Sequence, residues 1–252
     1  MRVVLDAVGK GRREHALPVT SAAFESGRAT LVAAETEQRP AVLGLIASGR
    51  MRPDTGRVEL DGRTDAAGLR RRIALVDAPG VSEPVPDVTL AGVAAEELMF
   101  AGRRSDPVAV RRWLDEQGLG DEASVPVSNV DPAGRVRALC ELAVLRKGVE
   151  AIVLVSPDRH GGEPAAWWAV AEDFAERGFA VLVIAGQASS PVVARVRNER
   201  VETRRTIADT QGVSTSGARA PFAQRAGGGV GRPRVPRLTA PARQGRARKS
   251  PR

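Results

Sequence analysis

Five short runs of Val, Ile, Leu and Ala punctuate the chain at residues 2–5, 29–33, 73–76, 151–155 and 180–184. Runs this short, and apolar at nearly every position, suit strands buried on both faces in a largely parallel sheet. Between them, apolar residues recur three and four positions apart at 41–47, 90–101, 108–117, 134–145 and 165–177, which predicts helices. Strand and helix alternate, so the expected fold class is α/β: a mostly parallel sheet flanked by helices, with a small helical insertion at 90–117. The segment GRVELDGR at 56–63 alternates in polarity and contains an Asp-Gly pair, so an exposed hairpin-like strand turning at Asp61 and Gly62 is expected there.

Periodicity stops near residue 202. From there Arg, Gly, Pro, Ala, Ser and Thr dominate, with Phe222 as the one aromatic residue, too few apolar positions to build a core. The charge divides at the same place: residues 1–202 carry 26 basic and 29 acidic groups, whereas 203–252 carry 12 and 1. The expected organisation is therefore a mildly acidic folded domain over 1–202 and a basic tail over 203–252, disordered from about residue 206. Such a tail suits nucleic acid or an anionic membrane by counterion release, a bland solvated extension, or a reading-frame artefact of a GC-rich gene.

The remaining composition narrows the chemistry. A single Cys140 excludes an intramolecular disulfide, and His15 and His160 are too few for a cysteine/histidine zinc cluster. No apolar stretch reaches the length of a transmembrane helix, so a cytoplasmic protein is expected, peripheral to the membrane only through a partner. Cys140 sits on a helical pattern among leucines and reads as a buried small hydrophobe. Trp167 and Phe174 share a helix face directed to the core, with Trp168 one position around and partly exposed, and the Arg70–Arg72 run reads as a solvated rim. Ser156, Asp158 and His160 follow a strand and invite a hydrolase triad. Three alternate residues on one short loop seldom converge, however, so loop capping is the expected role.

Residues 31–43, LVAAETEQRPAVL, resemble in outline the LVGxxGxGKSTLL phosphate loop of ATP-binding cassette (ABC) ATPases, members of the P-loop NTPase class. The GxxxxGK[ST] positions fall on Ala33, Gln38, Arg39 and Pro40. In that loop glycine N–H groups close on phosphates, a lysine reaches the outer phosphates and a hydroxyl helps hold magnesium. Proline removes one backbone donor and the hydroxyl together, while Glu35 and Glu37 bring carboxylates to a phosphate site. The favoured reading of these residues is a buried strand at 29–33 and a helix opened by Pro40 and ended near Gly49.

The resemblance continues over residues 1–202. IASGRMRPDTGRVELDGR at 46–63 is similar to the family's LxGLxxPxxGxVxxxG stretch, and RRRIALV at 70–76 to the strand before its Q-loop, whose glutamine falls on or near Ala78. DPAGR at 131–135 takes the place of the LSGGQ signature with only Gly134 matching and Pro132 at the serine. AIVLVSPDRHGGEP at 151–164 resembles the Walker B strand and D-loop, with Val155 at the magnesium aspartate and Ser156 at the catalytic glutamate. Asp158 supplies a carboxylate only if the loop shifts by several residues, and Gly186 stands at the switch histidine. No adenine-stacking aromatic occurs at 8–17.

The resemblance therefore implies an ABC-type ATPase domain with degenerate motifs, a non-hydrolysing accessory or regulatory subunit beside a membrane permease or an active ABC ATPase subunit. It implies no catalytic residue and no cofactor. Two alternatives remain open: a divergent but active ABC ATPase that uses ATP and magnesium, and a basic-tailed nucleic-acid-binding module.

Overall fold

The computed structural model describes residues 1–36, 39–200 and 202. The expected basic tail, 203–252, and Gln38 of the phosphate-loop positions lie outside the described residues.

Four of the five apolar runs form one parallel sheet: β3 (Arg28–Ala33), β5 (Ile73–Val76), β6 (Ala151–Val155) and β7 (Ala180–Ala185), in the order β3-β7-β6-β5. Their side chains alternate between two apolar clusters. Ala74, Val76, Ile152, Leu154, Val181 and Val183 face the cluster shared with the helices at 90–100, 107–116, 132–144 and 164–176. Ile73, Leu75, Val153, Val155, Leu182 and Ile184 face the other, which answers the absence of polar alternation in the sequence. β3 lies at the sheet edge, so only its Ala29 is buried and the remainder of the strand is half-buried or exposed, less than the sequence suggests.

The fifth run is a correction. Residues 2–5 belong to β1 (Arg2–Lys10), which joins an antiparallel sheet, β2-β1-β4, with β2 (Leu17–Glu25) and β4 (Thr55–Leu60). Only a short turn separates β1 from β2, and a parallel return needs a crossover of a dozen or more residues. β4 is also less exposed than expected, because Val58 and Leu60 are buried in the core shared with β1. The turn after it is as expected: Asp61 and Gly62 have φ of 51° and 78°, and Leu60 bridges to Arg63.

Helix α1 (Pro40–Ala47) contributes Leu43, Ile46 and Ala47 to the cluster that holds both sheets. Gly44 permits this approach, since a Cβ there would meet Val155 Cγ2 at 2.8 Å and Leu75 Cδ1 at 3.1 Å. Helix α2 (Ala66–Arg72) is N-capped by Asp65. Arg70–Arg72 occupy its last turn, where cations meet the negative end of the helix dipole, and Arg72 pairs with Asp61 and Glu150.

On the opposite face lie α3 (Leu90–Phe100) and α4 (Pro107–Glu116), the expected insertion, then α5 (Pro132–Val144) and α6 (Pro164–Glu176). Trp167 and Phe174 are fully buried as expected, and Cys140 is buried among them. Trp168 is fully buried as well, against the expectation of partial exposure, because α6 is covered on more than one side by β3, β7 and α5.

Candidate functional site

The four parallel strands end at one edge of the sheet, where α/β folds place their sites. Among the described residues, three of the six non-glycine residues with positive φ stand there: Arg39 (46°) before α1, Asp77 (56°) after β5 and Ser156 (49°) after β6. Left-handed backbone is costly for such residues, so the surrounding contacts must hold it in place.

Ala33 ends β3 and pairs with Ala185. Arg39 is the N-cap of α1 without a side-chain cap, and Pro40 is its first residue, so the first turn lacks one N–H donor. A cleft of about 610 Å³ opens here, lined by Glu35, Arg39, Pro40, Pro79, Asp158 and Arg159 among others. The Glu35 carboxylate accepts from the Gln187 N–H at 2.7 Å, and Asp158 Oδ2 accepts from the Gly186 N–H at 2.9 Å. Segments after β3 and β6 are thereby joined to the turn after β7 at Gln187 and Gly186, and a Cβ on Gly186 would meet Asp158 Oδ2 at 2.9 Å.

At the other end of the same edge Asp77 is buried and engaged from three directions. Arg135 of α5 approaches with Nη2 at 2.7 Å from Oδ1 and Nε at 3.3 Å from Oδ2. Arg159 brings Nη2 to 2.9 Å from Oδ1, and His160 Nε2 lies 2.9 Å from Oδ2. Burial pushes the Asp77 carboxyl upward. The hydrogen bonds from His160 and Arg135 and the charges of Arg135 and Arg159 outweigh it, and the carboxyl is held at about 2. Arg159 also binds Glu83 Oε2 at 2.9 Å.

Ser156, Asp158 and His160 do not converge. Asp158 caps Gly186 and His160 faces Asp77, which leaves loop capping as the role the geometry gives these residues. At the position of the signature loop, Asp131 N-caps α5 by accepting from the Ala133 and Gly134 N–H groups at 3.1 and 3.0 Å, and Pro132 follows it. Val155 is the buried last residue of β6. Asp77, Glu83, Arg135 and Arg159 escape a reading of the sequence. The signal available was an aspartate closing an apolar strand next to Ala78, together with an arginine on the apolar face of the α5 pattern.

No family model matches the sequence, and neither does any curated protein sequence. Solved structures do match the fold. An ATP-binding subunit of an ABC transporter aligns with a TM-score of 0.52 and 17% identity, over 75% of this chain and 81% of that one. An ATP-binding cassette of an ABC transporter in its ADP conformation aligns at 0.53 and 15%, over 74% and 82%. A nucleotide-free ATP-binding cassette aligns at 0.52 and 15%, over the same shares. The chain has the fold of an ABC transporter ATP-binding subunit, an α/β P-loop NTPase-type fold with a parallel sheet flanked by helices.

Proposed function

We propose that this protein is a non-hydrolysing accessory or regulatory subunit of the ABC type, acting by protein binding beside a membrane permease or an active ABC ATPase. Glu35 carries the reading: a carboxylate from the loop after β3 accepts from the Gln187 N–H at 2.7 Å, in a cleft where a nucleotide would need donors for its phosphates.

Magnesium-ATP does not fit the residues present. Ala33 and Pro40 offer neither the glycine turn nor the hydroxyl, and Pro40 has no N–H to donate. The first N–H groups of α5 are already taken by Asp131. The end of β6 offers Val155 where a metal-bound water needs a carboxylate. Ser156 has a hydroxyl of far too high a pKa to serve as general base. Asp158 binds the Gly186 N–H with one oxygen, and the carboxylate of Asp77 is enclosed by Arg135, Arg159 and His160.

In this proposal the protein works in the cytoplasm and reaches the membrane only through its partner. Among the described residues no helix is long and apolar enough to cross a bilayer. Phosphate release from magnesium-ATP by the purified full chain is expected to match the protein-free control. Release that rises in proportion to protein and falls in an Arg39→Ala variant overturns the proposal and favours a divergent active ATPase.

A further inference from the structure

The edge strand β3 has a sequence at odds with its place. Arg28–Ala33 reads RATLVA, and past Arg28 it carries no charge, no proline and no bulge, the devices that guard a sheet edge against another strand. One side of β3 pairs with β7 in unbroken parallel register, and among the described residues no strand or loop pairs with the other side. Strand parity fixes which groups face outward. The Ala34 N–H donates to the Ala185 carbonyl at 2.8 Å, so with a period of two the backbone groups of Val32 and Thr30 also face β7, and those of Ala29, Leu31 and Ala33 point away from the sheet.

An unpaired edge of apolar residues is a template for a further strand, and the residues at the two ends of β3 say which strand fits. The side chain of Arg28 at its start is 60% exposed and lies loosely, 3.9 Å, from Glu25, while Glu35, two residues past its end, is exposed as well. A strand of the same sequence laid antiparallel brings each Arg28 toward the other copy's Glu35, whereas a parallel one sets Arg28 beside Arg28. With Leu31 opposite Leu31 on the twofold axis, the outward groups of Ala29 exchange hydrogen bonds with those of Ala33 in the second copy, and Thr30 faces Val32, a β-branched pair. Leu31, which packs against the cluster shared with α3 to α6, meets its own symmetry mate there.

We propose that β3 is a docking edge for a second copy of this chain, giving a twofold-symmetric dimer in which the two four-stranded parallel sheets join through antiparallel β3 strands. One six-residue strand buries less than the roughly 800 Å² per partner of a stable complex, so the dimer is weak and forms as concentration rises. The dimer goes beyond the accessory-subunit proposal and involves no nucleotide, so nucleotide binding or its absence leaves its test unchanged.

Sedimentation velocity on the full chain, from about 1 μM to about 1 mM, reads the assembly, and residue-level hydrogen exchange at the two extremes reads the edge. The wild type is expected to pass from monomer to dimer over this range. The amides of Leu31 and Ala33 should exchange about tenfold or more slowly at the high concentration, while those of Thr30 and Val32, directed at β7, keep their protection at both. Ala33→Pro removes an outward N–H at an edge position that tolerates proline, and is expected to weaken the dimer about tenfold or more. If that variant does not fold, Arg28→Glu decides: it brings two carboxylates together at an exposed position and is expected to weaken the dimer severalfold at low salt. The proposal is overturned by a wild type that stays monomeric throughout, by a dimer that the folded variant leaves intact, or by Leu31 and Ala33 amides equally protected at both concentrations, which would mean that another segment already covers the edge.

Discussion

The Glu35 carboxylate accepts a hydrogen bond at 2.7 Å from the backbone N–H of Gln187, 152 residues further along the chain. The bond connects the loop that precedes α1 with the turn that follows β7, so one carboxylate organises both sides of the cleft. Glu35→Ala is expected to speed exchange of the Gln187 amide and to cost about 1 kcal/mol or less in global stability, because the bond is exposed to solvent. Urea unfolding combined with residue-level exchange checks both. Unaltered exchange at Gln187 would mean that another acceptor holds this turn.

Asp77 predicts a specific acid limb. Its carboxyl is depressed from 3.8 to about 2 in the folded state, so its contribution to stability is complete above the unfolded value and is lost as pH falls through the folded one. The advantage of the wild type over Asp77→Asn in unfolding free energy should shrink by about 2 kcal/mol between about pH 5 and pH 2. Parallel denaturant titrations across that range measure it. A constant difference would show that Asp77 is not ionised inside its cluster.

Much of this fold is visible in the sequence, and the exceptions have physical causes. β5, β6 and β7 are legible because strands buried on both faces must be apolar throughout. β2 is not legible, since only Leu17 and Phe24 among its nine residues are buried and the rest, Val19 included, are half-buried or exposed. The pairing of β1 depends on the length of the link to β2, which its apolar run does not encode. At the site, the positions of Arg39 and Pro40 at the start of α1 follow from proline's preference for the first helical turn. The Asp77 cluster unites residues 58, 82 and 83 positions apart, and an aspartate after a strand reads locally as an ordinary turn residue.

Cys140 should be inert in the native protein. Burial pushes its thiol pKa well up, and the side chain is enclosed by the apolar cluster of α5 and α6. A chromogenic disulfide reagent is expected to titrate no thiol in native buffer and one after unfolding in guanidinium. Rapid native labelling would mean that α5 opens readily.

Trp168 should matter as much as Trp167, since both are fully buried. Truncation of either to Ala is expected to cost about 3–5 kcal/mol, and chemical denaturation of the two variants compares them directly. A loss near 1 kcal/mol for Trp168→Ala alone would restore the partly exposed position that the helical pattern suggests.

The most direct test of the central claim is a thermal-shift titration of the full chain with magnesium-ATP, run beside Arg39→Ala. A ligand at a hundred times its dissociation constant stabilises a fold by about 2.7 kcal/mol, so even modest nucleotide binding raises the melting temperature measurably. With Glu35 in the cleft and Pro40 opening α1, no shift is expected in either protein. A concentration-dependent rise in the wild type that disappears in Arg39→Ala would contradict the account and identify a nucleotide-binding subunit.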